Sequence, residues 1–168
     1  MKIAYFDCFA GASGDMIVAA LFDVGLEERA FADGLRTLGL KDVELKVTEV
    51  AKHGVRAKSF GFRAGGGPRT GTFAEIAELI ERAGLSAPVK ARALRAFDYL
   101  AEAEAHIHGR PKSEVHFHEV GSLDSVVDVV GASLGLELLG IESVVASPLA
   151  LGTGVVQCEH GTLPSAAP

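Results

Sequence analysis

The residues from His116 to Asp128 place two imidazoles, His116 and His118, and three carboxylates, Glu119, Asp124 and Asp128, among apolar neighbours. Burying a charge without a partner is costly, and Val126, Val127, Val129 and Val130 surround Asp128 in the chain. Two His-x-His pairs stand close together, His106-Ile107-His108 and His116-Phe117-His118. An extended backbone would turn both rings of a pair to one side, an arrangement suited to one metal ion. Carboxylate from Glu119, Asp124 or Asp128 would complete a nitrogen and oxygen shell or orient an imidazole from behind. In a helix Asp124 and Asp128 lie one turn apart and face the same way. The plainer reading has Asp124 favouring the positive end of a helix dipole and Asp128 tied to backbone donors. His106 and His108 end an Ala-rich helix, where histidine is also favoured for structural reasons. Near the C-terminus, Cys158-Glu159-His160 offers a soft sulfur and an imidazole that suit nickel, copper or zinc better than magnesium.

A second candidate lies at the start of the chain. A short apolar strand, Lys2 to Phe6, runs through Asp7 and the small residues Gly11, Ala12, Ser13 and Gly14 to Asp15 and a helix beginning near Met16. Such a junction offers unpaired backbone N–H groups to an anion. The Walker lysine and the dinucleotide glycine pattern are absent, and Asp15 opposes direct phosphate contact unless a cation lies between.

The elements that must position these groups are legible from period and capping. Glu27 to Leu38 reads as a helix with Phe31, Leu35 and Leu38 on one face. Val43, Leu45 and Val47 alternate with polar residues, and His53-Gly54 predicts a turn into a partner strand from Val55 to Phe62. The run from Ala64 to Gly71 is too rich in glycine for a regular element and is expected to be a mobile loop over 64–71. Thr72 with Glu75 forms a capping box ahead of Ile76, Leu79, Ile80 and Ala83. A helix from Ser86 buries Val89, Ala93, Phe97 and Leu100 and is expected to fray between Ala105 and Gly109. Ser122 caps a very apolar helix from Leu123 to about Leu139, followed by a strand from Glu142 to Ala146. The expected fold is α/β, or a mixed α+β arrangement, with a central mixed sheet that includes an antiparallel hairpin and is flanked by helices.

Length and charge bound the function. The 168 residues fit a single domain spanning 1–168. A net charge of -6 without a basic stripe argues against nucleic acid as the partner. No apolar run is long enough to cross a membrane, and Asp7 comes too early for a signal peptide's apolar region, so a soluble cytoplasmic protein is expected. Cys8 and Cys158 stand apart, which indicates neither a disulfide framework nor a zinc ribbon.

Four blocks together resemble the LarC nickel-insertion family. They are Tyr5 to Met16; Leu100 to Ala105; His116 to Gly121 with Asp124, Asp128 and Gly131; and Ser147 to Gly152 with His160-Gly161 and Leu163-Pro164. The resemblance implies a cyclometallase, a nickel chelatase-type lyase that matures the nickel-pincer cofactor of lactate racemase. Nickel would be inserted into a pyridinium bis-thiocarboxylate mononucleotide with consumption of CTP. On that basis His116, His118, Asp128 and His160 are candidate nickel ligands or carriers, with Glu119 and Asp128 orienting the imidazoles. Asp7, His118 and Glu119 are candidate bases for the ring proton, and Gly11, Ala12, Ser13, Gly14 and Asp15 would cradle the mononucleotide's phosphate.

Two departures from the family qualify this. Where members carry a His-rich tract ahead of the helix at Thr72, this chain has Gly65-Gly66-Gly67-Pro68-Arg69. The family also runs on beyond residue 168 into more of the first domain and then a C-terminal domain credited with nucleotide binding, so CTP is expected to bind outside this chain. A homo-oligomer or a C-terminal-domain partner is therefore expected. The main rival is a non-catalytic nickel carrier or assembly subunit needing that partner. A divalent-metal phosphohydrolase built on Asp7 is the third reading, weakened because Phe9 stands where the common aspartate phosphatases have their second acid.

Overall fold

A computed structural model describes residues 1–67, 71–117, 121–150, 152–158 and 161–164. The chain is α/β, and its strands pair in both parallel and antiparallel senses. Strand β1 (Ile3–Phe6) leads into helix α1 (Gly14–Asp23) and helix α2 (Glu28–Arg36). The hairpin of β2 (Glu44–Lys52) and β3 (Val55–Arg63) follows, then α3 (Phe73–Arg82), α4 (Ala87–His108) and α5 (Leu123–Leu138). The described chain closes with β4 (Ser143–Ala146), β5 (Val155–Cys158) and β6 (Gly161–Pro164). Among the described residues the strands form three separate two-stranded sheets, β1 with β4 in parallel, β2 with β3 and β5 with β6 antiparallel.

The predicted capping chemistry is in place. Thr72 Oγ1 accepts from the Glu75 N–H while Glu75 reaches back to the Thr72 N–H, completing a capping box. Ser86 and Ser122 cap α4 and α5 through the N–H groups of Val89 and Ser125. At the hairpin turn His53 and Gly54 both have positive φ, 50° and 82°, the geometry that a tight two-residue connection demands.

Helix α5 is the centre of the core. Val126, Val127 and Val130 are fully buried, and the helix packs against α1, α2 and α4. Its glycines permit that closeness: a Cβ at Gly131 would lie 2.9 Å from Phe31 Cζ, and one at Gly135 would lie 2.8 Å from Leu21 Cδ1. Phe31 in turn stands edge-on to Phe22, with ring centroids 5.0 Å apart, and Phe22 stacks on Phe60 at 5.8 Å. This aromatic cluster ties α1, α2 and β3 into one apolar body.

At the start of the glycine-rich run Lys41 N–H donates to Gly66 O and Gly65 N–H donates to Lys41 O; residues 68–70 lie outside the described part. One element differs from the sequence reading: the β5–β6 hairpin was not anticipated. Its signal was the β-branched pair Val155-Val156 and Thr162, short enough to be lost beside the irregular Pro148 loop.

Candidate functional site

Strand β1 delivers Asp7, exposed, to the point where the chain leaves the sheet. The loop after β4 is stitched to that point. Cys8 N–H donates to Ser147 Oγ at 2.8 Å, Ser147 N–H donates to Phe6 O at 2.9 Å, and Ala150 N–H donates to Cys8 O at 3.4 Å. Cys8 is buried with a free thiol, its Sγ 3.7 Å from Phe6 O. Two segments nearly the length of the chain apart thus form one rim. The structuring role of Ser147 had no signal in the sequence, since a hydroxyl's partner is set only by the fold.

Beyond Asp7 the chain turns at Gly11, which is buried at φ 86° and donates its N–H to Cys8 O at 3.0 Å. Ser13 occupies the N-cap of α1 without capping it. Its hydroxyl instead donates to Asp15 Oδ1, which also accepts the Met16 N–H at 2.9 Å. A carboxylate therefore already occupies the helix's first turn, and an anion reading of this turn rests on the amides of residues 12–15.

The α1–α5 seam then sets Gly14 against Asp128. A Cβ at position 14 would lie 2.8 Å from both Cγ and Oδ2 of Asp128, so only glycine allows the helix start to approach so closely. The half-buried Asp128 has its pKa raised from 3.8 to about 6, first by loss of solvent and then by the negative charges of Asp15 and Asp124. The charges of Asp15, from α1, and of Asp124, on α5 itself, thus both act on Asp128. The pairing of Asp124 with Asp128 was legible from their spacing. The addition of Asp15 was not.

His116 lies on a short extended stretch bridged to Thr72, with Phe117 N–H donating to Gly71 O at 2.9 Å. Val115 and Phe117 are buried while His116 is exposed, so the imidazole is turned outward. The ring covers Gly71, where a Cβ would fall 3.2 Å from Nε2. His118, Glu119 and His160, all predicted site residues, lie outside the described residues. Among the described residues no three His, Cys, Asp or Glu side chains form a group able to hold a metal ion. Asp128 and His116 are thus not joined by a third described ligand.

The other His-x-His pair is corrected by the structure. Helix α4 does not fray at Ala105 but continues through His108 to Gly109, which closes it in the left-handed conformation at φ 61°. Residues two apart on a helix are rotated by about 200°, so His106 and His108 cannot turn their rings to one side. His108 Nε2 instead pairs with Glu104 Oε2 one turn back at 3.1 Å.

Residues 4–168 match the family model for the nickel insertion protein. The chain belongs to the nickel insertion protein family. Relatives in Geotalea daltonii and Geobacter sp. strain M21, whose names assign them provisionally to nickel insertion, are 46% and 47% identical over the whole chain. A protein of Desulfitobacterium hafniense strain DCB-2, named pyridinium-3,5-bisthiocarboxylic acid mononucleotide nickel insertion protein, is 44% identical over the whole chain. The chain spans 44%, 44% and 42% of the lengths of these three family members, respectively. It is thus like the N-terminal portion of a longer nickel insertion protein. No solved structure gives a significant match. No described helix is long and apolar enough to cross a membrane.

Proposed function

We propose that this chain handles nickel for insertion into a pyridinium-3,5-bisthiocarboxylate mononucleotide, acting in the cytoplasm as the N-terminal domain of a cyclometallase, a lyase-type nickel chelatase. The observation that carries the reading is the match, over the whole of this chain and 42% of the relative's length, to the Desulfitobacterium hafniense protein named for that step. Nickel is the cargo. Its proposed ligands are His116, His118, Asp128 and His160, with the negative field of Asp15 and Asp124 drawing the cation toward Asp128. In the reaction a metal–carbon bond forms and a ring C–H bond breaks, and the proton passes to a base for which Asp7, His118 and Glu119 are the candidates. The turn from Gly11 through Ala12, Ser13 and Gly14 to Asp15 would receive the mononucleotide's phosphate with the metal neutralising Asp15. CTP consumption is assigned to the part of the longer relatives that lies beyond this chain.

Isothermal titration of nickel into the purified chain tests the ligand set. Wild type should bind nickel, the Asp128→Asn variant should bind more weakly, and a His116→Ala/His118→Ala double variant should lose most of the affinity. Equal uptake by all three would refute it.

A second reading is a nickel carrier or assembly subunit without chemistry of its own, the chemistry then belonging to the portion of the relatives not matched here. Nickel binding by the chain without turnover, restored to turnover by the remaining portion of a relative with CTP and the metal-free mononucleotide, would select it.

A further inference from the structure

The β1–β4 pair is an incomplete layer. Parallel strands are found almost only where both faces of the sheet are covered, yet this sheet has two strands of four residues each. Alternation places Ile3 and Tyr5 on one face, and the register sets Val145 beside Tyr5 on that same face. These three are 49%, 63% and 47% exposed, and Val144 on the opposite face is 49% exposed. Among the described residues β1 pairs only with β4 and β4 only with β1, so each strand offers one unpaired edge. Between β1 and the helices α1 and α5 lies a groove of about 460 Å³, lined by Ala4, Phe6, Leu21, Val24, Leu139 and Ile141. Unpaired edges combined with an exposed apolar face form a template for further strands.

We propose that this surface is the docking site for the polypeptide that nickel insertion proteins carry beyond the segment matched here, and that this polypeptide adds at least one strand to the β1–β4 pair and covers Ile3, Tyr5 and Val145. More than half of each matched relative lies outside the match, which is ample chain for the purpose. The rim formed by Asp7, Cys8 and Ser147 sits at the end of these same strands. An added strand would therefore bring its own C-terminal or N-terminal end beside Asp7, completing the site from outside this chain. The proposal rests on family membership and not on the nickel ligands.

The test joins this chain to the remaining portion of the Geotalea daltonii relative and compares amide hydrogen exchange in the fusion and in the 168-residue chain, with the full-length relative as a folding control. Amides of Ile3–Phe6 and Ser143–Ala146 should exchange at least tenfold more slowly in the fusion. A Tyr5→Lys/Val145→Lys double variant should abolish that difference while leaving the thermal midpoint and nickel uptake of the 168-residue chain unchanged. Equal exchange in both proteins, with the corresponding strands of the full-length relative also unprotected, would overturn the proposal. So would retention of protection in the double variant. Protection in the 168-residue chain that rises with its own concentration to the level of the fusion would also overturn it, since a second copy would then be the occupant.

Discussion

Replacing Asp128 by asparagine removes a negative charge that the fold opposes while keeping the side chain's shape. The carboxyl has a pKa of about 6 in the folded chain against 3.8 ordinarily, because burial and then the charges of Asp15 and Asp124 disfavour its ionised form. A folded-state pKa above the unfolded one means that the native protein binds more protons between these values, so stability falls as pH rises from about 4 through 6. The full shift corresponds to roughly 3 kcal/mol at 1.36 kcal/mol per unit. Asp128 is only half-buried, and solvent screening reduces the expected effect to about 1–2 kcal/mol. Asp128→Asn should therefore match wild type near pH 4 and exceed it at pH 8, by roughly 2–8 °C in Tm for a domain of this size. Thermal melts followed by circular dichroism at pH 4, 6 and 8, in chelator, measure this directly. An unchanging difference across that range, or a variant less stable at pH 8, would refute the account of a strained carboxylate at the α1–α5 seam. Nickel added at pH 8 should narrow the gap by stabilising wild type more than the weaker-binding variant.

Other perturbations probe the same architecture. Gly14→Ala should lower stability by about 1–3 kcal/mol in urea denaturation, because the new Cβ would meet Asp128 Cγ and Oδ2 at 2.8 Å. Gly131→Ala should also destabilise, by about 1–2 kcal/mol net of its better helix propensity, since the methyl would press on the fully buried Phe31; an increase in Tm would contradict that packing. Thr72→Ala removes the side-chain half of the α3 capping box and should cost about 1 kcal/mol, read from the urea midpoint. A His106→Ala/His108→Ala variant should keep the nickel affinity of wild type in calorimetric titration, because the helix turns the two rings to different sides.

Much of this protein was written locally. The Thr72–Glu75 box, the Ser86 and Ser122 caps, the His53-Gly54 turn and the alternation through Leu45 and Val47 each depend on residues within a few positions of one another. Their elements were therefore readable from spacing alone, as was the face shared by Asp124 and Asp128. The ordered blocks from Tyr5 to Pro164 likewise carried the family. Local pattern misjudged the end of α4, where Gly109 capped a helix that the His-x-His spacing had invited one to read as extended. What tertiary structure alone decided was which distant groups meet. Gly135 lets α1 and α5 close together while Gly131 admits Phe31 of α2, and in that packing Gly14 lies against Asp128 with Asp15 close enough to raise its pKa. The parallel pairing of β1 with β4 joins Cys8 to Ser147 across 139 positions. No local period encodes such a meeting, because it follows from how whole helices and strands fill one core, and the chemistry of the site depends on the charges and hydrogen bonds that this packing brings within reach.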